Sequence, residues 1–159
     1  MPYFWAAYKY GCFKNLNGGF IDGLTKDRLS ELLENYISDN NLTPFSIFAN
    51  IDGKKRIIGI ALFFIRGRLM ETSDIIWFPW ATKRLILEGY VNFVNSIRKQ
   101  SNNDMGQKYV IIEYAQEKDV KFFDHVCSYG IMRRVGTSYE LYHNEKCCIY
   151  ESRGFYDVK

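Results

Sequence analysis

The chain has 159 residues, 47% hydrophobic and 25% charged, a composition that describes one globular domain, 1–159, and leaves no room for two ordinary ones. Twenty-one Lys+Arg against eighteen Asp+Glu leave a formal charge of +3 with no basic stripe, so nothing signals dedicated nucleic-acid binding. An aromatic share of 17% with only three Pro argues against disorder. The longest apolar run, Ile57 to Ile65, is interrupted by Gly59 and falls short of the roughly twenty residues a membrane helix needs. Lys9 and Lys14 precede no apolar stretch with a small-residue cleavage site, so no secretion signal is expected. Cys12, Cys127, Cys147 and Cys148 include no CxxC pair, and His125 and His143 are the only histidines. Reduced thiols, a cytoplasmic setting and no metal site are the expectation.

Residues 1–24 are rich in aromatics without a clean period, and two readings stand: an irregular strand, or a segment lying over the core or a partner. If exposed, Tyr3, Phe4, Trp5, Tyr8, Tyr10 and Phe13 would make a patch suited to protein contact. Asn17-Gly18-Gly19 signals a turn. From Thr25, a candidate N-cap, Leu29, Leu32, Leu33, Tyr36 and Ile37 keep helical spacing, ended by Asn40-Asn41 and Pro44. FSIFANI and KKRIIGIALFFI flank Asp52-Gly53, a strong hairpin signal, and the second strand is apolar enough to be central. Arg66-Gly67-Arg68 turns the chain into a third strand, LMETSDIIWF, which Pro79 stops.

A helix then carries Ile86, Tyr90, Phe93, Val94 and Ile97 on one face and ends at Arg98-Lys99. After a polar loop, Ser101 to Gln107, KYVIIEYA reads as a buried strand. Asp119 opens a short helix with Phe122, Phe123 and Val126 inward, closed by Gly130. IMRRVGTSYELY and KCCIYES form a last hairpin joined by His143-Asn144-Glu145. The fold class is mixed α/β: an antiparallel meander, a crossover helix, a strand, a helix and a terminal hairpin, making one mixed sheet with helices on its faces.

This order, over roughly residues 25 to 153, resembles the GNAT (acyl-CoA N-acyltransferase) superfamily. Phe78-Pro79 resembles the strand end before the acetyl-CoA pyrophosphate loop, and Arg84 to Gly89 stands where the family carries (Gln/Arg)-x-x-Gly-x-(Gly/Ala). FFDHVCSYGIMRRVG resembles its helix-then-strand signature, with Gly130 and Ile131 at the junction. WFPWATKR and FFDHVCSYGIMRRVGTS are also similar to stretches of small GNAT-like proteins of tailed phages and prophages. The resemblance implies acetyl-CoA bound near Phe78, Lys83, Arg84 and Gly89, with acyl transfer to an amine acceptor. Two departures count against it. Leu87 replaces the first glycine, where a side chain would fill the phosphate nest or reshape the loop. Val126 stands where the family has its proton-donating Tyr. The alternative is a non-catalytic protein of the virion, its assembly or the host interface, contacting a phage or host protein.

An N-acyltransferase needs a base to deprotonate an ammonium before it attacks a thioester. The candidates are Glu71 and Asp74 on the third strand of the meander, Glu113 in the next strand, and His125 on the second of the two later helices. Each carboxylate has two readings: alternation outward to solvent, or a cleft that raises its pKa. His125 is either a proton carrier or a half-exposed helix residue. Lys83 and Arg84 oppose the dipole of the helix they open, which suits a phosphate, although a solvated pair is the simpler reading. Trp77 and Trp80 either line a pocket or belong to the core.

Overall fold

The computed structural model describes residues 2–13, 16, 19–100, 108–139 and 146–152. The turn read at Asn17-Gly18, the loop Ser101 to Gln107 and the connection His143-Asn144-Glu145 lie outside the described residues. The aromatic N-terminus corrects the strand reading: Pro2–Lys9 is a helix, α1. Proline is at home in a first helical turn, and this stretch has no β-branched residue to oppose helix formation. Gly11 turns the chain out at φ 75°, with the Cys12 N–H donating back to Ala7 O at 2.9 Å.

Helix α2, Lys26–Asp39, is capped as its sequence predicts: Thr25 accepts a hydrogen bond from the Arg28 amide at 3.2 Å. Strands β1, Thr43–Ile51, and β2, Lys54–Arg66, are joined by Asp52 and Gly53 at φ 50° and 75°, the paired positive angles of a tight hairpin turn. Strand β3 covers Leu69–Trp77, helix α3 Lys83–Lys99 and strand β4 Val110–Ala115. A 3₁₀ turn, Glu117–Asp119, leads into α4, Val120–Cys127. Strands β5, Arg133–Tyr139, and β6, Lys146–Glu151, close the chain. The six strands form one mixed sheet in the order β1-β2-β3-β4-β6-β5. Pro44, which has no N–H to donate, therefore lies on an edge strand. Among the described residues no helix is long and apolar enough to cross a membrane.

Two compact units divide the chain. The first comprises Met1–Phe64 with Ser73–Ile86. Its core gathers Ala7 and Phe13 with Leu29 and Leu33 of α2, Ile60 and Leu62 of β2, and Ile76 and Phe78. Phe4 meets Phe78 edge-on at 5.9 Å, so much of the aromatic N-terminus folds inward rather than forming a free patch, while Tyr10 stays exposed. A bulge opens β2: Ile47 faces Gly59 but Phe48 faces Ile57, leaving Ile58 outside the ladder. Ile58 O instead accepts the Phe78 amide at 2.8 Å, and Ile57 O accepts Trp80 Nε1 at 2.7 Å. These two bonds tie down the Phe78-Pro79-Trp80 turn that delivers the chain to α3. Gly59 is required beside them, because a Cβ there would stand 2.8 Å from the Trp77 ring and 2.9 Å from Ile76 O.

The second unit comprises Ile65–Thr72 with Leu87–Lys159. In it β3 pairs with β4 in parallel over Leu69↔Val110, Met70↔Ile111 and Glu71↔Ile112. On its other side β4 pairs antiparallel with β6, from Ile112↔Glu151 to Ala115↔Cys148. Ser152 finishes that edge twice over, accepting the Ile111 amide on its hydroxyl and donating its own amide to Ile111 O. Tyr90, Phe93, Val94 and Ile97 of α3, with Phe123 and Val126 of α4, supply the buried helix faces expected from their spacing. Edge-on ring contacts join Tyr90 to Phe122 and Phe123, at 5.5 and 5.7 Å.

Candidate functional site

Of the four candidate proton carriers, Glu113 has the most unusual setting. Strand alternation turns Ile111, Glu113 and Ala115 to the buried side and leaves Tyr114 exposed. Glu113 is therefore only 5% exposed, and the solvated reading is overturned. Tyr90 Oη, itself fully buried on α3, donates to Glu113 Oε1 at 2.8 Å, and Thr72 Oγ1 of β3 donates to the same oxygen. Desolvation pushes the Glu113 carboxyl up to about 7; the hydrogen bonds from Thr72 and Tyr90 oppose the rise, and the charge of Asp119 adds to it. Burial, followed by the neighbouring carboxylate, drives the Tyr90 phenol well above its ordinary value. Sequence reasoning places Tyr90 only in the core and gives Thr72 no role. The available signal was that a tyrosine on a buried helix face carries a hydroxyl that must find a partner.

Glu71 shares β3 with Thr72, but alternation sends it to the opposite side of the sheet, toward Tyr114. Asp74 belongs to the first unit and has its own partners there. Tyr36 Oη of α2 and Ser73 Oγ both donate to Asp74 Oδ2, each at 3.1 Å. Desolvation raises the Asp74 carboxyl against the pull of these two donors. The Tyr36 phenol is pushed up to about 12, first by burial and then by the Asp74 charge. His125 is exposed on α4 and stacks against Tyr129, with ring centres 5.8 Å apart.

At the start of α3, the stretch Arg84 to Gly89 is helical throughout. Leu87 thus stands in the second turn of the helix rather than in a loop, and Gly89 is buried on the helix. The connection from β3 is 78–82, held by the bulge carbonyls, with Thr82 Oγ1 accepting the Leu85 amide at 3.4 Å. Phe78 is buried in the core, whereas Thr82, Lys83 and Arg84 are exposed at the first turn, which carries no carboxylate. Thr82 also takes the Ile86 amide on its carbonyl at 2.9 Å, so what this end presents beyond its own cap is two exposed cations. Trp77 and Trp80 pack beside Gly59 and the Ile57 carbonyl. Val126, in the expected position of the proton-donating Tyr, is fully buried.

No family model matches the chain, and neither does any curated protein. Solved structures do match. A chimera of spermidine N-acetyltransferase SpeG from Vibrio cholerae and hSSAT is 17% identical, with 91% of this chain and 88% of that one covered at a TM-score of 0.54. An acetyltransferase of the GNAT family from Bacillus anthracis is 16% identical, covering 91% and 81% at 0.52. The ribosomal-protein-alanine N-acetyltransferase of Escherichia coli is 11% identical, covering 74% of each chain at 0.50. Two of them are named for different acceptors, spermidine and a ribosomal-protein alanine, and the third for none, so what they share with this chain is architecture rather than a substrate. The meander, crossover helix and terminal hairpin read from the sequence are thus those of the GNAT acetyltransferases, and this chain has their fold.

Proposed function

We propose that the protein is an acyl-CoA-dependent N-acyltransferase in which Glu113 accepts the proton of the acceptor ammonium. The observation that carries this reading is a buried carboxyl poised at about 7 and held on one oxygen by Tyr90 and Thr72. A base works best when its pKa lies close to the operating pH, which balances the unprotonated fraction against basicity. Acyl-CoA would supply a thioester: the amine nitrogen forms the new bond to the acyl carbon, and the carbon–sulfur bond breaks. The donor set at the start of α3 suits the anionic end of that substrate. Lys83 and Arg84 are exposed, and no carboxylate in the first turn competes with a phosphate there. The absence of a glycine from the first turn costs close backbone approach, so the two cations would carry more of the binding. Val126 has no proton to give, but a thiol with a pKa of ~8.5 leaves readily and takes a proton from water.

Val126 and the glycine-free turn also support a second reading, a non-catalytic GNAT-fold protein that binds a phage or host partner. The inward packing of Phe4, Ala7 and Phe13 weakens the N-terminal patch as its contact surface. The test is isothermal titration with acetyl-CoA, followed by thiol release with a panel of primary amines, using the full chain and Glu113→Gln. The expected result is acetyl-CoA binding by both proteins and a fall in kcat of about 10²- to 10⁴-fold in the variant. No heat at millimolar acetyl-CoA would overturn the transferase reading and leave the binding-protein one.

A further inference from the structure

We infer that Tyr150 and Asp124 are positioning residues that hold α4 against Glu113 and so keep water from its carboxyl. Only the description of Glu113 as a base rests on the transferase reading; the effect of this tether on the carboxyl does not. In the β4/β6 ladder Tyr150 stands directly opposite Glu113, so the two side chains leave the sheet on the same side. Tyr150 is fully buried, and its Oη donates to Asp124 Oδ1 of α4 at 2.6 Å. Burial first, and then the bond to Asp124, raises the Tyr150 phenol, so it keeps its proton and remains the donor at neutral pH. Ring contacts continue the connection. Tyr150 packs on Phe123 of α4 with centres 5.4 Å apart, Phe123 meets Tyr90 at 5.7 Å, and Tyr90 donates to Glu113. The bond at Asp124 therefore fastens a loop of contacts that begins and ends at the Glu113↔Tyr150 pair.

The direction of its effect follows from what surrounds Glu113. Desolvation and the charge of Asp119, in the turn that leads into α4, raise the carboxyl; Thr72 of β3 and Tyr90 of α3 lower it. Neither lowering donor belongs to α4, so a loosened α4 admits water and leaves both donors in place. The other titratable or charged groups nearby are Cys127 on α4, Cys148 on β6 and Arg134 on β5, which act on Tyr90 or Tyr150.

The test is a titration of the Glu113 carboxyl by carbon NMR in the full chain without acyl-CoA, the resonance being assigned with Glu113→Gln. The midpoint should fall from about 7 by about one pH unit, or tenfold in acidity, in Tyr150→Phe and in Asp124→Ala. Asp124→Asn retains an acceptor oxygen and should leave the midpoint in place. The acid limb of kcat/KM for thiol release should move with the midpoint. A contact serving stability alone would lower the thermal midpoint of these variants and leave Glu113 titrating as in the parent, and that result would overturn the inference. A raised Glu113 midpoint, or an Asp124→Asn protein that matches Asp124→Ala, would overturn it too. Asp124 is exposed, so Asp124→Ala carries the test should Tyr150→Phe fail to fold. A shifted midpoint in a chain that binds no acetyl-CoA would remove the transferase and leave the tether, so the two readings fail independently.

Discussion

Replacing Glu113 by Gln should change how stability depends on pH, and the sign follows from its burial. The carboxyl moves from 4.5 to about 7 on folding, a difference of about 2.5, which at about 1.36 kcal/mol for each tenfold is about 3 kcal/mol. Between these two values the folded chain holds a proton that the unfolded chain releases, so stability falls as pH rises. The cost is absent below about pH 4.5 and complete above about pH 7. Gln has no charge to desolvate and lacks this slope. Its amide group introduces an offset through its own hydrogen bonds, but that offset does not vary with pH. The other titrating groups, Asp74 among them, contribute equally to both proteins and cancel in the difference. Urea unfolding of the two proteins in steps from about pH 5 to about pH 8 should therefore show the variant gaining on the parent by up to about 3 kcal/mol, with a plateau at the alkaline end. A difference that is flat with pH, or that grows toward acid, would refute the claim that Glu113 is buried against its charge.

Two further substitutions test the surroundings of these sites. Tyr90→Phe removes one of the two donors that favour the charged carboxylate, so the midpoint of the pH-dependent stability loss should move above about 7, at a cost of about 1–3 kcal/mol for the missing hydrogen bond. An unmoved midpoint in urea unfolding across pH would show that the phenol does not act on Glu113. Gly59→Ala should destabilise the first unit by about 1–3 kcal/mol, because the new methyl meets the Ile76 carbonyl and the Trp77 ring. A thermal midpoint equal to the parent's would show that the β2 bulge has slack.

Much of the architecture was readable locally. The hairpin at Asp52-Gly53 needs only two residues that accept positive φ, and the Thr25 cap only a hydroxyl three residues before an amide. The inward faces of α2 and α3 follow from a period that neighbours alone establish. The N-terminal helix escaped because apolar side chains surround it and erase that period. The start of α3 is where the sequence reading puts it, at Lys83 and Arg84; what no local pattern shows is that the carbonyls of Ile57 and Ile58 hold the turn before it.

The candidate site divides along the same line. That Glu113 interrupts an apolar strand is visible in VIIEYA, and the sequence by itself determined that its fate was binary: water or a cleft. Only the tertiary structure decided between them, by bringing Thr72 from 41 residues away and Tyr90 from 23 onto one carboxylate oxygen. The insertion of β6 between β4 and β5 was likewise decided there, since a hairpin can dock by either strand. Caps, turns and periods involve residues a few positions apart, so the chain carries their cause within itself. Desolvation of a charge depends on atoms that folding gathers from distant positions, and no local pattern records them.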